Sequence, residues 1–180
     1  MALHMVTIHF SHITMASISS EFLSVLHCQS NRRCIFWDEA PCQIHNNCSG
    51  KHAGFLTWTR HHGAGPDYHL PDHPLQQAIR AATEDVTGEP VAGMGIDGCS
   101  APNFATSVAG LARAMSAFAC GGEDARGQAM RRLVQAMALH PELVAGEGRA
   151  CTDLMRAMKG RVAVKTGAEA VFIAIAPDRG

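Results

Sequence analysis

The decapeptide HNNCSGKHAG at 45–54 places Cys48, Ser49, Lys51 and His52 within five positions. Cys48 and Lys51 are three residues apart, so on a helical turn they share a face. A thiolate binds soft metal ions, and zinc is the usual choice of a site built from sulfur and nitrogen donors. A lysine can join such a site only with a neutral amine, which needs burial or an adjacent metal. The same stretch also reads as a capped helix start, with Asn47 or Ser49 as cap and Cys48 an inert thiol.

Two further stretches carry candidate chemistry. In GIDGCSAPN at 95–103, Gly95 and Gly98 are expected to supply backbone angles closed to other residues and to present Asp97 and Cys99 at a loop tip. The plainer reading is an Asx-type turn leading into a helix over 104–119, capped by Ser100 or Asn103. Lys165-Thr166-Gly167 ends a predicted strand. A strand-borne Lys-Thr-Gly is a signature of class A β-lactamases and penicillin-binding proteins, whose other parts are Ser-x-x-Lys and Ser-Asp-Asn. There the strand edge holds an ammonium beside the scissile amide, and the glycine lets substrate approach the backbone. Neither partner tripeptide nor tetrapeptide occurs in this chain, and Ser49-Gly50-Lys51 is one residue short of the spacing.

The elements that must position these residues are readable from about residue 45 onward. Lys51 to Arg60 reads as a helix ended near Gly63 and Gly65. Residues 66–73 form a proline-stiffened loop, and Pro74 fits the first turn of a second helix with His73 or Asp72 as cap. Leu75, Ile79, Ala82 and Val86 recur at helical spacing up to Gly88. Phe104, Val108, Leu111, Met115 and Phe118 mark a helix stopping at Gly121-Gly122. Met130, Leu133, Val134 and Met137 mark another, ending before Pro141, and a short helix covers 150–158. Strand content is expected only at 161–165 and 171–176, joined as a hairpin by Thr166-Gly167-Ala168-Glu169. The layout is α+β, helices gathered on an antiparallel sheet.

Composition narrows the function class. A formal net charge of −1 with no long charge run gives nothing to attract a phosphate backbone, so nucleic acid is not an expected partner. No apolar run approaches the ~20 residues of a membrane span. The N-terminus has no Lys or Arg before its apolar residues, which argues against a secretory signal. The cysteines, at 28, 34, 42, 48, 99, 120 and 151, are odd in number and irregular in spacing, which suits reduced thiols in a cytoplasmic protein. His61, His62 and His69 read as solvated loop residues and His140 as a helix end. His52, next to Lys51, is the one histidine expected to support the site from behind, with Ser49 a second such candidate.

In order, HNNCSGKHAG, the Asp72-His73-Pro74 step, GIDGCSAPNFA and GRVAVKTGAEAVF at 160–172 strongly resemble the asparaginase II family. The resemblance covers about three quarters of the chain, residues 45–180, as a partial domain of that family. It implies hydrolysis of L-asparagine to L-aspartate and ammonia through an acyl-enzyme, and a fold similar to serine β-lactamases. It also implies a zinc site on Cys48, Lys51 and Cys99, with Asp97 as the acidic site residue and Lys165 as the lysine of a Ser–Lys pair. A homodimer is left open. The family's nucleophilic serine lies upstream of HNNCSGKH in a Ser-x-x-Lys, and residues 1–44 supply no match to it. Phe10-Ser11-His12 and Ile18-Ser19-Ser20-Glu21 are too poor to carry over. Residues 1–44 therefore read as a divergent segment, and the chain as truncated at both ends, its sheet short of strands.

Three functions follow from this: a working asparaginase, a fragment keeping the metal-site half without its nucleophile, or a non-catalytic zinc-binding module. Interaction with a penicillin-like β-lactam is a remoter reading, suggested by Lys165-Thr166-Gly167 alone.

Overall fold

A computed structural model of the chain describes residues 6–7, 48–167 and 171–179. The reading of 1–44 as a segment apart lies outside the described residues, save for the backbone of Val6–Thr7, and so do Ala168 and Glu169 of the expected hairpin loop. The described residues form an α+β arrangement. In chain order it runs β1 (Val6–Thr7), α1 (Ser49–His61), α2 (Pro74–Thr87), β2 (Met94–Ile96) and β3 (Pro102–Thr106). Then follow α3 (Val108–Cys120), α4 (Ala125–Leu139), α5 (Pro141–Ala145), α6 (Ala150–Ala157), β4 (Ala163–Thr166) and β5 (Phe172–Ile175). None of these helices is long and apolar enough to cross a membrane.

The expected single sheet is two small antiparallel ones. β4 and β5 pair as foreseen, with Lys165 opposite Ile173, and Gly167 N–H donates to the Val171 carbonyl at 2.7 Å to close the turn. The second sheet, ordered β1-β3-β2, corrects the expectation that strands occur only near the C-terminus. Its central strand β3 is buried along its whole length, so it shows no alternation for a sequence pattern to catch. Phe104 lies on this strand and not on a helix. The expected helix over 104–119 starts at Val108, and its cap is Ser107, whose Oγ accepts the Gly110 N–H at 2.9 Å.

Helices α3 and α4 pack on the β4–β5 hairpin through Leu111, Met115, Phe118, Met130, Val134, Ala163 and Ile175. The corner between them needs a glycine. A Cβ at Gly127 would stand 2.0 Å from the Gly122 backbone nitrogen, so no side chain fits there. A smaller cluster of Phe55, Leu75 and Ala101 joins α1, α2 and the β2–β3 turn. The first turn of α2 is built as the sequence suggested, with Pro74 leading and His73 as cap. His73 Nδ1 accepts the Leu75 N–H at 3.1 Å, so Nε2 carries the proton and donates to the Gly65 carbonyl at 2.9 Å.

Glu89 ties α2 to the start of α3. Its carboxylate accepts from Thr106 Oγ1 at 2.7 Å, Ser107 N–H at 2.6 Å, Ser107 Oγ at 2.8 Å and Arg113 Nη2 at 2.8 Å. The Ser107 backbone bond first, then the hydroxyls and the guanidinium, hold its pKa down to about 2. A depressed carboxylate stabilises the fold fully above its ordinary value of 4.5, and this contribution is lost as pH falls through about 2. We expect unfolding free energy to drop over that acid window more steeply in the wild type than in Glu89→Gln. Denaturant titrations followed by circular dichroism at several pH values measure it, and parallel profiles would remove Glu89 from the acid response.

Candidate functional site

Helix α1 starts two residues earlier than its sequence pattern suggested, so Lys51 falls in its first turn. The inward stripe of α1 runs Lys51, Phe55, Thr59 at four-residue spacing, and Lys51 is only 2 % exposed. A lysine at a core position is costly without partners. Its partners come from the β2–β3 turn. Lys51 Nζ lies 3.4 Å from Asp97 Oδ2, and Cys99 Sγ–H donates to the same oxygen at 3.2 Å. The ligand atoms of Cys48, Asp97 and Cys99 lie within 4.8 Å of one another, a grouping able to hold a metal ion.

The turn that carries Asp97 and Cys99 is held by its own backbone. Asp97 N–H donates to the Ala101 carbonyl at 2.9 Å and Ser100 N–H to the Asp97 carbonyl at 2.8 Å. Asp97 Oδ1 accepts the Gly98 N–H at 2.8 Å, which leaves Oδ2 for the lysine and the thiol. The left-handed residue of this turn is Ser100, at φ +69°, and not Gly95 or Gly98 as the glycine spacing suggested. A left-handed residue after a three-residue turn is the usual closure of such hairpins, and serine bears a strain there that glycine would not.

Electrostatics at the cluster favour the protonated forms of Cys48 and Lys51. Burial, helped by Cys99 and Asp97 and opposed by Lys51, pushes the Cys48 thiol up to about 11. Burial works against the Lys51 ammonium, yet its bond with Cys99 and the charges of Cys48, Cys99 and Asp97 outweigh that and hold its pKa above the ordinary lysine value. A metal ion bound here would displace those protons.

His52 stands beside the cluster. Its Nδ1 is 2.9 Å from the Tyr68 hydroxyl, and its ring meets Phe55 and Tyr68 edge-on or tilted. Burial, then the Lys51 charge, lowers its pKa, so the ring is neutral. Its Nε2 is buried with no hydrogen-bond partner. Tyr68 was not foreseen; a lone tyrosine in a proline-rich loop gives no periodic signal. Gln76, fully buried, anchors that loop by donating to the Tyr68 carbonyl at 2.6 Å. Ser49 opens α1, but its side chain lies outside the described residues.

Lys165 lies on β4. Its Nζ donates to the Thr166 carbonyl at 2.6 Å. Burial lowers its pKa, the charges of Cys151 and Cys48 raise it, and Arg149 lowers it again. Lys165 therefore senses the Cys48 thiol, whereas its amine is held by its own strand. His61, His62, His69 and His140 are exposed.

Two blocks 46 residues apart in sequence thus meet around one buried amine. The arrangement offers two sulfurs, one nitrogen and one carboxylate oxygen at a single point, with a second amine of depressed basicity nearby. No curated protein matches the chain. A family model described as L-asparaginase II matches residues 15–180, beginning upstream of the first of these blocks and running to the last residue. With 166 of 180 residues inside that match (180 − 15 + 1), the chain belongs to the L-asparaginase II family.

Proposed function

We propose that the chain serves the hydrolysis of L-asparagine to L-aspartate and ammonia. In this reading zinc is held by Cys48, Lys51 and Cys99, Asp97 orients the lysine and the second thiol, and Lys165 is the amine of a Ser–Lys pair. The observation that carries it is the convergence of Cys48, Lys51, Asp97 and Cys99 within a family whose described activity is that of an asparaginase.

The donors fit zinc. Sulfurs each ~2.3 Å from a tetrahedral ion stand ~4 Å apart, and the ligand atoms of Cys48, Asp97 and Cys99 stand no more than 4.8 Å apart. The chemistry is soft sulfur with an amine nitrogen, which selects zinc over magnesium or calcium. Bound there, zinc would supply Lewis acidity toward an amide carbonyl, tempered by two electron-donating thiolates. The residues do the rest. Burial of Lys165 moves its amine toward the range a general base needs. Asp97 keeps Lys51 aimed at the sulfurs.

A second reading is favoured by one specific fact: the chain contains no Ser-x-x-Lys. It is a zinc-binding module without catalysis. Mixing the chain with a separately expressed segment that carries the family's Ser-x-x-Lys separates the two. The asparaginase reading expects ammonia release from L-asparagine only when both pieces are present, and its loss with Lys165→Met. Stoichiometric zinc with no ammonia from any mixture would leave the module reading standing.

A further inference from the structure

Helix α6 is fastened to the strand that bears Lys165. The Cys151 thiol accepts the Thr166 N–H at 3.2 Å, and Cys151, Met155 and Val164 pack together in one buried cluster. The first turn of α6 is therefore fixed against the end of β4, next to Lys165. Arg149 is the residue just before that turn. Its backbone is extended, its side chain makes no capping bond to its own helix, and it is exposed.

The neighbouring charges leave Arg149 available. Glu147, two residues away, gives both carboxylate oxygens to Arg156 at 2.7 Å each, and Glu142 also faces Arg156 at 3.7 Å. Other arginines are engaged by acids: Arg80 by Glu84, Arg113 by Glu89, Arg126 by Asp85 and Arg131 by Glu123. Among the described residues no acidic side chain pairs with Arg149, while its charge is felt at Lys165. A guanidinium with no acidic partner among the described residues offers the planar donor fork that matches a carboxylate.

We propose that Arg149 receives the α-carboxylate of the amino-acid substrate beside Lys165, a role that rests on the asparagine reading above. The substrate's geometry suits it. The amide carbon and the α-carboxylate carbon of asparagine are three carbon–carbon bonds apart, ~4 Å at most when each bond is ~1.5 Å. A cation that holds the carboxylate must therefore stand next to the group that works on the amide. Lys51 is buried against Asp97, whereas Arg149 is exposed at the start of the helix fastened to the end of β4. The arrangement would make the site selective for amides on a free amino acid over the same amide without its carboxylate.

Binding of L-asparagine to the full 180-residue chain, followed by calorimetry, tests this. The control ligand is 3-aminopropanamide, which is asparagine lacking only its α-carboxylate. Wild type is expected to bind asparagine ~30-fold or more tightly than the control, from one charge-assisted bidentate contact. Arg149→Met should abolish that preference while leaving the affinity for the control unchanged, and Arg149→Lys should restore part of it. Equal binding of asparagine by wild type and Arg149→Met would overturn the role, as would an equal loss for both ligands, which marks a structural effect. A wild type that binds neither ligand would instead sink the asparagine reading, and this inference with it.

Discussion

Purified as its 180 residues with zinc added, the chain is expected to release ammonia from L-asparagine at least three orders of magnitude more slowly than the ordinary enzyme range of ~1–10³ s⁻¹. An amide is opened by a nucleophile with a base within hydrogen-bond reach. The nucleophiles near the cluster fail that requirement. Ser100 sits exposed at the turn, and among the described residues no base is bonded to its hydroxyl. The Cys99 S–H is engaged as a hydrogen-bond donor to Asp97, and the Cys48 thiol, pushed up to about 11, stays protonated at neutral pH. Lys165 has the lowered basicity of a catalytic amine but bonds to its own strand carbonyl. An ammonia-release assay with continuous detection reads the result. Turnover inside the ordinary range would point to a serine in residues 1–44, and Ser11, Ser17 and Ser20 would be the first to replace with alanine.

Replacing Lys51 with methionine is the second large effect. Methionine keeps the unbranched apolar stem and deletes the amine, so the packing around Phe55 and Thr59 is preserved. On the proposed ligand set, zinc would lose one of three protein ligands. Loss of a mere supporting hydrogen bond already costs 10–100-fold in affinity, so a lost ligand is expected to cost ~100-fold or more. Competition with a chromogenic chelator gives the affinity. The thiolate charge-transfer band of the cobalt form reports whether Cys48 and Cys99 still bind. Without metal the substitution removes the cation beside Asp97, and since Asp97 is 24 % exposed, the cost is expected at about 1–3 kcal/mol, below that of a fully buried pair. Lys165→Met should leave zinc affinity unchanged. Zinc binding by Lys51→Met within twofold of wild type would remove Lys51 from the ligand set.

Much of the scaffold was legible because its signals are local. Pro74 with His73, the Gly88 stop, the apolar spacing of α4 and the β4–β5 pair all follow rules that act within one turn or one strand. The hairpin of β2 and β3 was not legible. β2 has three residues, all exposed, and β3 has five, all buried, so neither alternates. Phe104 falls four residues before Val108, at helical spacing by coincidence, while Val108 itself is 61 % exposed. The positions of Cys48, Lys51, Asp97 and Cys99 were nameable from their blocks, but the reason they cohere was not. It lies in a buried ammonium reaching across 46 residues, and no window of sequence contains both ends. Tyr68 was missed because a single polar residue in a loop leaves no periodic trace, and Gln76 because a lone buried polar residue on a helix breaks the apolar pattern.

That same separation sets a timetable during synthesis. When Lys51 leaves the ribosome, Asp97 follows 46 residues behind it. At ~5–20 residues per second the interval is ~2–9 s. Over that time the residues of α1 lack their partners from the β2–β3 turn, and Lys51 faces water. Leu75 arrives first and can cover part of Phe55, but Ala101 and the acidic turn come last. The nascent chain thus keeps Phe55 partly uncovered and the Lys51 charge hydrated until one hairpin is complete, after which both are enclosed together.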